Sequence, residues 1–393
     1  MGLLIFLIIT EVLTIIVLRQ HFYIRSKIKY LISIIIHSIL SIWIWILFFE
    51  VTNYKSYFDT PQHIWLMMNF TATIIAIAVP RAILALCHFT GSLISIKRGG
   101  QMRWLTNTGF IIMILIMTII TMGTLHGRFN FKTERVTIKI KGLNKELEGL
   151  KIVQLSDLHL AGFYHHPKVL QKVMDEVNAI KPDLILNTGD FVSYGWREFD
   201  NNDTILVKAK SKYGNYAVMG NHDFGTYDPD FTQAGRDSNV LMMNKLISAS
   251  GYKVLNDEYT KVSIGDAKIG LIGVITMGRH PNMVHGDLRK AIAGLDSVDL
   301  EILLSHDPNQ WAKDVTGKTD IGLTLSGHTH GMQMGILTKK FKWSPSKYFY
   351  PHWNGLYTDG NQFQYVNRGL GVLAIPFRIW MPPEITVITL VPE

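Results

Sequence analysis

Cysteine is almost missing. Cys87 is the single one among 393 residues, and it lies in an apolar stretch. That excludes an intrachain disulfide and leaves the redox compartment open. Charged residues are also sparse, at 18% of the chain. The formal net charge of +8 comes from scattered lysines and arginines, many of them beside apolar segments, and not from one basic face. Such a distribution is a poor nucleic-acid footprint, whereas basic residues beside apolar runs usually hold membrane topology.

What is present divides the chain in two. Residues 1–126 are dominated by Ile, Leu, Met and Phe, and residues 127–393 have the Gly-punctuated mixture of a soluble domain. Four apolar runs stand out in the first part, at 3–18, 31–49, 64–86 and 106–124. They approach the roughly 20 residues that a span requires. The first run lacks a basic start and a small-residue cleavage site, so it reads as an uncleaved span and not as a signal peptide. Beyond Glu11 and Arg81 the runs lack intramembrane charge, which counts against a transport pathway.

The loops between runs carry topology information. The first holds Arg19, Arg25, Lys27 and Lys29, and the third holds Lys97, Arg98 and Arg103; the second sets Lys55 against Glu50 and Asp59. Basic loops stay cytoplasmic. The expectation is a multi-pass protein of the cell (inner) membrane with residues 127–393 on the extracytoplasmic side. Lys132, Arg135, Lys139 and Lys141 weigh against that orientation. Glu11 and Arg81 lie at depths that an Arg side chain bridges, so either they pair or Arg81 snorkels while Glu11 stays a neutral acid.

The second part alternates strand and helix patterns. Strands are expected at 135–141, 151–155, 184–188 and 215–219. Helices are expected at 166–180, within 202–210 and at 239–250. A hairpin is expected over 259–274, followed by strands at 300–304, 321–326, 362–366 and 385–390. The sum is a mixed α/β sandwich with ligands on the loops after strands.

Five short blocks follow those strands: Asp157-Leu158-His159, Gly189-Asp190, Gly220-Asn221-His222-Asp223, Ser305-His306 and Gly327-His328-Thr329-His330. Asp, Asn and His are the side chains that hold paired divalent ions, which clamp a phosphoryl group and ready a water for attack. Imidazole-rich ligation favours Mn, Zn or Fe over purely oxygen-bound cations.

These blocks, in this order, resemble the pattern of the calcineurin-like metallophosphoesterase family. Gly327–Gln333, Tyr365–Gly371 and Pro382–Ile385 resemble its bacterial membrane-associated phosphodiesterase branch. The resemblance implies a four-layer sandwich, two mixed sheets flanked by helices, over residues 127–393. It implies one ion held by Asp157, His159 and His330, a second by Asn221, His306 and His328, and Asp190 as the bridge. His222 would donate to a phosphoryl oxygen or leaving group, with Asp223 orienting its ring. One departure is Gly273-Val274-Ile275-Thr276, where close relatives often place acidic residues.

Other residues have a structural reading beside a functional one. His165 and His166 precede a helix and either line the entrance or form an exposed turn. Asn309, Gln333 and Arg368 either contact phosphate or serve structure. His21, His37, His63, His88, His126 and His285 are read as structural. Residues 339–357 mix lysines with Phe341, Trp343, Tyr348, Phe349, Tyr350, Trp353 and Tyr357. That composition suits a bilayer surface, or equally a buried insertion.

The function expected is hydrolysis of phosphate ester or pyrophosphate bonds, on a lipid or envelope precursor that tethering brings near. The alternatives are a phosphodiesterase acting on soluble nucleotides and a non-catalytic membrane receptor or scaffold. The last predicts missing ligands, and none is missing. The sequence does not address monoester against diester preference or oligomeric state.

Overall fold

The structure, a computed structural model, describes residues 1–98, 103–276 and 286–393. His285 lies outside the described residues. The chain forms two compact units: Met1–Tyr57 with Leu66–His126 and Ala374–Phe377, and Phe58–Trp65 with Gly127–Leu373 and Arg378–Glu393.

The first unit is helical, with α1 at Gly2–Leu18, α2 at Lys27–Thr52, α3 at Pro61–Thr73, α4 at Val79–Arg98 and α5 at Arg103–Leu125. Four continuous helical stretches, Gly2–Tyr23, Lys27–Thr52, Pro61–Ile96 and Arg103–Phe129, are long and apolar enough to cross a membrane. They exceed the apolar runs because their polar ends go on satisfying helical hydrogen bonds. Ser26, for example, caps α2 by accepting from the Lys29 amide. The third stretch carries a wide π turn at Ile74–Ala78 just before Pro80. Proline has no N–H to donate, and a locally widened helix absorbs that missing bond.

Arg81 does not snorkel. It is buried at 3% exposure and bonds Glu11 Oε1 through Nη1 at 2.8 Å. Its Nη2 donates to the His37 carbonyl at 3.1 Å. Ser41 Oγ donates to Glu11 Oε2 at 2.6 Å, and His37 Nε2 meets the same oxygen at 2.9 Å. One polar cluster thus ties together α1, α2 and α4. Removing one member of a buried ion pair strands the other charge, at a cost of about 3–5 kcal/mol. Glu11→Ala should therefore lower the thermal midpoint of the helical unit in detergent, and Glu11→Ala with Arg81→Met should recover most of the loss. Equal midpoints for wild type and Glu11→Ala would show that the cluster carries no structural weight.

The second unit holds two mixed six-stranded sheets. The first has the order β1 (Lys132–Ile140), β14 (Glu384–Pro392), β2 (Lys151–Leu155), β3 (Leu184–Asn187), β4 (Asn215–Ala217) and β5 (Tyr252–Val254). In it β2 to β5 run parallel, and β14 is antiparallel to β2. The second has the order β12 (Gly355–Asp359), β13 (Gln362–Val366), β9 (Leu323–Ser326), β8 (Leu300–Ser305), β7 (Ala267–Val274) and β6 (Glu258–Ile264). Its four central strands are parallel, between antiparallel edges.

Strand side chains alternate between faces. Ile152, Leu184 and Leu186 of the first sheet therefore meet Ile269, Leu271, Ile302 and Leu325 of the second in one core. Val153, Leu155 and Ile185 point the other way, onto Leu170, Val173 and Val177 of α6 (Pro167–Ile180) and Met243 and Ile247 of α8 (Gln233–Ala249). On the far face of the second sheet, Ile272, Val274 and Leu303 pack with Leu288, Ala291 and Trp311. The result is the four-layer sandwich.

Most expected elements are present, with shifted ends. Helix α8 starts at Gln233, ahead of the expected 239, because the Thr232 hydroxyl caps it by accepting from the Gly235 amide. The helix expected within 202–210 is the single turn α7 (Asp203–Leu206). The short pair β10 (Ile336–Leu337) and β11 (Lys342–Trp343), and the hairpin partner β12, were not expected as strands.

Candidate metal centre

All five blocks lie at the carboxyl ends of parallel strands: β2, β3 and β4 in one sheet, β8 and β9 in the other. The chain must turn sharply there, and Asp157, His159, Asp190, His328 and His330 all have positive φ, between 41° and 72°. Such backbone is costly for residues other than glycine and persists where surrounding structure enforces it. The motif glycines allow close approach. A Cβ on Gly220 would run into the Asp190 carboxylate, and one on Gly327 would run into Ser156 and Asp157.

Two groups of ligand-type side chains converge, Asp157 with His159 and His330, and Asp190 with His306 and His328. In the first, His330 Nε2 lies 3.1 Å from Asp157 Oδ1 and 3.0 Å from His159 Nε2. In the second, His306 Nε2 lies 2.9 Å from Asp190 Oδ2. The carboxylates also reach across, with His159 Nε2 at 3.9 Å from Asp190 Oδ2 and His306 Nε2 at 3.9 Å from Asp157 Oδ1.

This donor set fits divalent cations. His306 Nε2 faces Asp190 at short range without hydrogen-bond alignment, and the buried Asn221 Oδ1 has no hydrogen-bond partner. The other ends of these groups are secured. His306 Nδ1 donates to the Thr188 carbonyl at 2.7 Å, and Asn221 Nδ2 donates to the Tyr227 hydroxyl at 3.1 Å. A buried oxygen without a hydrogen-bond partner, on the residue next to His222, is what a cation satisfies.

The electrostatics agree. Burial would raise the Asp157 and Asp190 carboxyls, but the neighbouring histidines outweigh it and hold both well below the usual carboxylate range. Burial would lower His306, but Asp190 overrides it and pushes the imidazole up to about 10. Burial and then the charge on His306 pull His328 down to about 4. Burial followed by His330 holds His159 well down as well. The two anionic carboxylates therefore attract positive charge, which in the free site falls on His306, and the neutral imidazoles of His159 and His328 keep lone pairs for a cation.

Asp223 does not orient the His222 ring as expected. The His222 ring is not held by Asp223; its Nδ1 donates to the Ser193 carbonyl at 2.6 Å. Its backbone amide donates to Asp190 Oδ1 at 2.9 Å, and its ring stacks on Tyr227 at 4.3 Å. The fully buried Asp223 carboxylate instead accepts four backbone amides, from Asp190, Phe191, Val192 and Gly220 at 2.8–3.1 Å. Asp223 lies beside the backbone of β3 and β4, so its carboxylate meets amides before it can meet a ring.

Several supporting residues have no motif of their own. Ser193 serves two histidines, since its carbonyl holds His222 and its hydroxyl meets His159 Nδ1 at 3.1 Å. The buried Glu198 carboxylate fixes that loop by accepting from the Ser193 and Tyr194 amides. The fully buried Arg378, pulled down to about 9 by burial, donates to the carbonyls of Arg368, Gly369 and Gly371 and reaches His330 Nδ1 at 3.3 Å.

Residues 339–357 are divided. Phe341, Tyr348 and Phe349 are exposed, whereas Trp353 is buried and its carbonyl accepts from Thr329. Tyr350 turns inward, with its hydroxyl 2.7 Å from His328 Nε2. Partners that orient a ligand histidine are worth about 10–100-fold in metal affinity or activity. Tyr350→Phe should show a loss of that size in metal titration, and unchanged affinity would mean that His328 is oriented by other contacts.

Arg368 does not present itself to an anion. It is buried in an ion pair with Glu384 and bonded to Glu134 and Asn354. Gln333 bonds the Leu373 backbone in both directions. His166 packs on Phe129 and lies 3.3 Å from Arg128. These three serve structure.

Comparison with known proteins agrees with this geometry. Residues 150–332 match the family model of the calcineurin-like phosphoesterases. The chain is 31% identical over 271 residues to the metallophosphoesterase YkuE of Bacillus subtilis, covering 66% of this chain and 85% of that one. It is 31% identical over 268 residues to a transmembrane protein with metallophosphoesterase domain from Danio rerio, covering 66% of this chain and 57% of the relative. It is 26% identical over 280 residues to the UDP-2,3-diacylglucosamine pyrophosphatase LpxG of Chlamydia muridarum, covering 61% and 83%. The chain belongs to the calcineurin-like metallophosphoesterase family of hydrolases.

Proposed function

We propose that this protein is a membrane-bound phosphoesterase that uses two divalent cations to hydrolyse a phosphate ester or pyrophosphate bond of a lipid or envelope precursor, on the extracytoplasmic side. The observation that carries the chemistry is the pair of ligand groups, Asp157/His159/His330 and Asp190/His306/His328, joined by carboxylates that reach across both. In this reading Asp157, His159 and His330 would hold one cation, Asn221, His306 and His328 would hold the other, and Asp190 would serve both. The imidazole-rich set favours Mn, Zn or Fe. Bound there, the cations supply a Lewis acid for phosphoryl oxygen and acidify a water.

The protein's own groups do the rest. His222 has its Nδ1 proton committed to Ser193, so proton exchange with a leaving group falls to Nε2. Burial lowers the His222 pKa even though Asp190 raises it, so the free site holds a neutral ring. An incoming phosphoryl anion favours its charged, donating form. Tyr227, stacked on that ring, restricts its rotation.

Three things support a lipid-linked substrate: four helices long and apolar enough to cross a membrane, the short sequence between the fourth and the metal motifs, and the lipid pyrophosphatase among the relatives. The distribution of Lys and Arg between the runs supports the extracytoplasmic side. The test is hydrolysis of UDP-diacylglucosamine in mixed micelles beside ADP, cyclic AMP and bis-p-nitrophenyl phosphate, with Mn or Zn added. The lipid should show the highest kcat/KM. A higher value for a soluble nucleotide would assign the enzyme to nucleotides.

A further inference from the structure

We propose that the helical unit holds a second phosphate site, distinct from the metal centre, that binds the headgroup of an anionic phospholipid. A cavity of about 240 Å³ opens where three helical stretches end, lined by Gln20, His21, His88, Ser92, Arg103 and Thr106. Gln20 and His21 belong to the last turns of Gly2–Tyr23, Ser92 lies near the end of Pro61–Ile96, and Arg103 begins Arg103–Phe129. The cavity therefore sits at the ends of apolar stretches, the depth at which lipid phosphates lie.

Its construction is specific. His88, buried at 8% exposure, is clamped on both ring nitrogens: Nε2 lies 2.7 Å from Gln20 Oε1 and Nδ1 lies 3.0 Å from Thr106 Oγ1. Those partners come from two other helices, so the bond pair fixes the cavity wall across three spans. The first stretch changes to π geometry at Arg19–Tyr23, the segment that carries Gln20 and His21. Single π turns inside α-helices are frequent at functional sites.

The chemistry of the wall selects an anion. Its titratable groups, His21, His88 and Arg103, are all basic, and none of the described lining residues is acidic. The Arg103 guanidinium, the His21 imidazole and hydroxyl donors suit phosphate, with Arg as the planar fork that matches two of its oxygens, while His88 braces the wall. In the sequence the same end carries Arg19, Arg25, Lys27 and Lys29, a basic collar that attracts anionic lipid. Two sources present this phosphate, a lipid headgroup and the free ion, and the placement at the span ends favours the lipid.

The test uses the purified full chain in detergent, incubated with phosphatidylglycerol or phosphatidylcholine. Retained lipid is counted per chain by native mass spectrometry, and helical melting is followed by circular dichroism. Wild type should retain one phosphatidylglycerol in preference to phosphatidylcholine. Charge-assisted hydrogen bonds are strong enough that Arg103→Gln with His21→Gln should weaken retention about tenfold or more, with melting unchanged. Ser92→Leu keeps every charge and fills the cavity, and it should weaken retention likewise. Equal retention of the two lipids by wild type, or equal retention of phosphatidylglycerol by wild type and both variants, would overturn the proposal. Arg103-dependent binding of inorganic phosphate without lipid retention would overturn the lipid assignment and leave a free-phosphate site.

Discussion

Asp190→Ala should lower kcat for phosphoester hydrolysis by about a thousandfold or more, ~4 kcal/mol of transition-state stabilisation, because it removes charge from both ligand groups at once. Asp190 Oδ2 is 2.9 Å from His306 Nε2 and 3.9 Å from His159 Nε2, and Oδ1 accepts the His222 amide. Among the described residues no other side chain in the site touches both ligand groups and the His222 amide together. The fold should tolerate the change better than the chemistry does, because Asp190 accepts only that one backbone amide among the described bonds. Steady-state kinetics with saturating Mn, beside a thermal melt, checks both parts. Hydrolysis by Asp190→Ala equal to that of wild type would mean that the reaction occurs elsewhere.

Asp223→Ala should do the reverse and damage the fold first. Four backbone amides would lose their acceptor in a fully buried place. Each buried donor left unsatisfied costs about 1–3 kcal/mol, so a total on the order of 5 kcal/mol follows even with partial relaxation. That is comparable to the whole stability of a typical domain, roughly 5–15 kcal/mol. The variant should melt far below wild type or fail to accumulate. If Asp223 instead acted only by orienting His222, the variant would melt like wild type and lose activity with an altered pH profile. Asp223→Asn sharpens the contrast, since one carboxamide oxygen can keep some of the amide bonds and should recover part of the stability.

Both variants show where the sequence was informative. The convergence of Asp157, His159, His330, Asp190, His306 and His328 was legible because their chemistry repeats at the ends of apolar strand patterns. Parallel strands of one sheet present their carboxyl ends together, so residues far apart in sequence converge. The strand positions were legible for the same reason: the buried segments 152–155 and 184–187 are mostly apolar runs between turn residues.

What was not legible depends on contacts that no local pattern encodes. Asp223 follows His222 directly, and adjacency suggested that the acid holds the ring. The acid's side chain points into the strand ends, and a main-chain carbonyl, from Ser193, holds the ring instead. A backbone acceptor has no residue type to read. Tyr350 was placed in a segment whose composition suited a membrane surface, yet it reaches His328 from 22 positions away. Arg378 belongs to no motif, and it is fully buried under the loop that carries Gly369 and Gly371. In the helical unit, charge and depth sufficed to suggest the Glu11–Arg81 pair. The participation of His37 and Ser41 needed the rotational setting of α2, which an all-round apolar helix does not reveal.

The central claim is that the two ligand groups each hold a divalent cation and that hydrolysis needs both. The most direct measurement is metal content per chain by inductively coupled plasma mass spectrometry during stepwise Mn titration of chelator-treated full-length protein. Hydrolysis of bis-p-nitrophenyl phosphate is followed on the same samples. The account predicts two ions per chain at saturation, with activity rising as the second binds. Full activity in the chelated protein, or saturation at one ion with full activity, would contradict it.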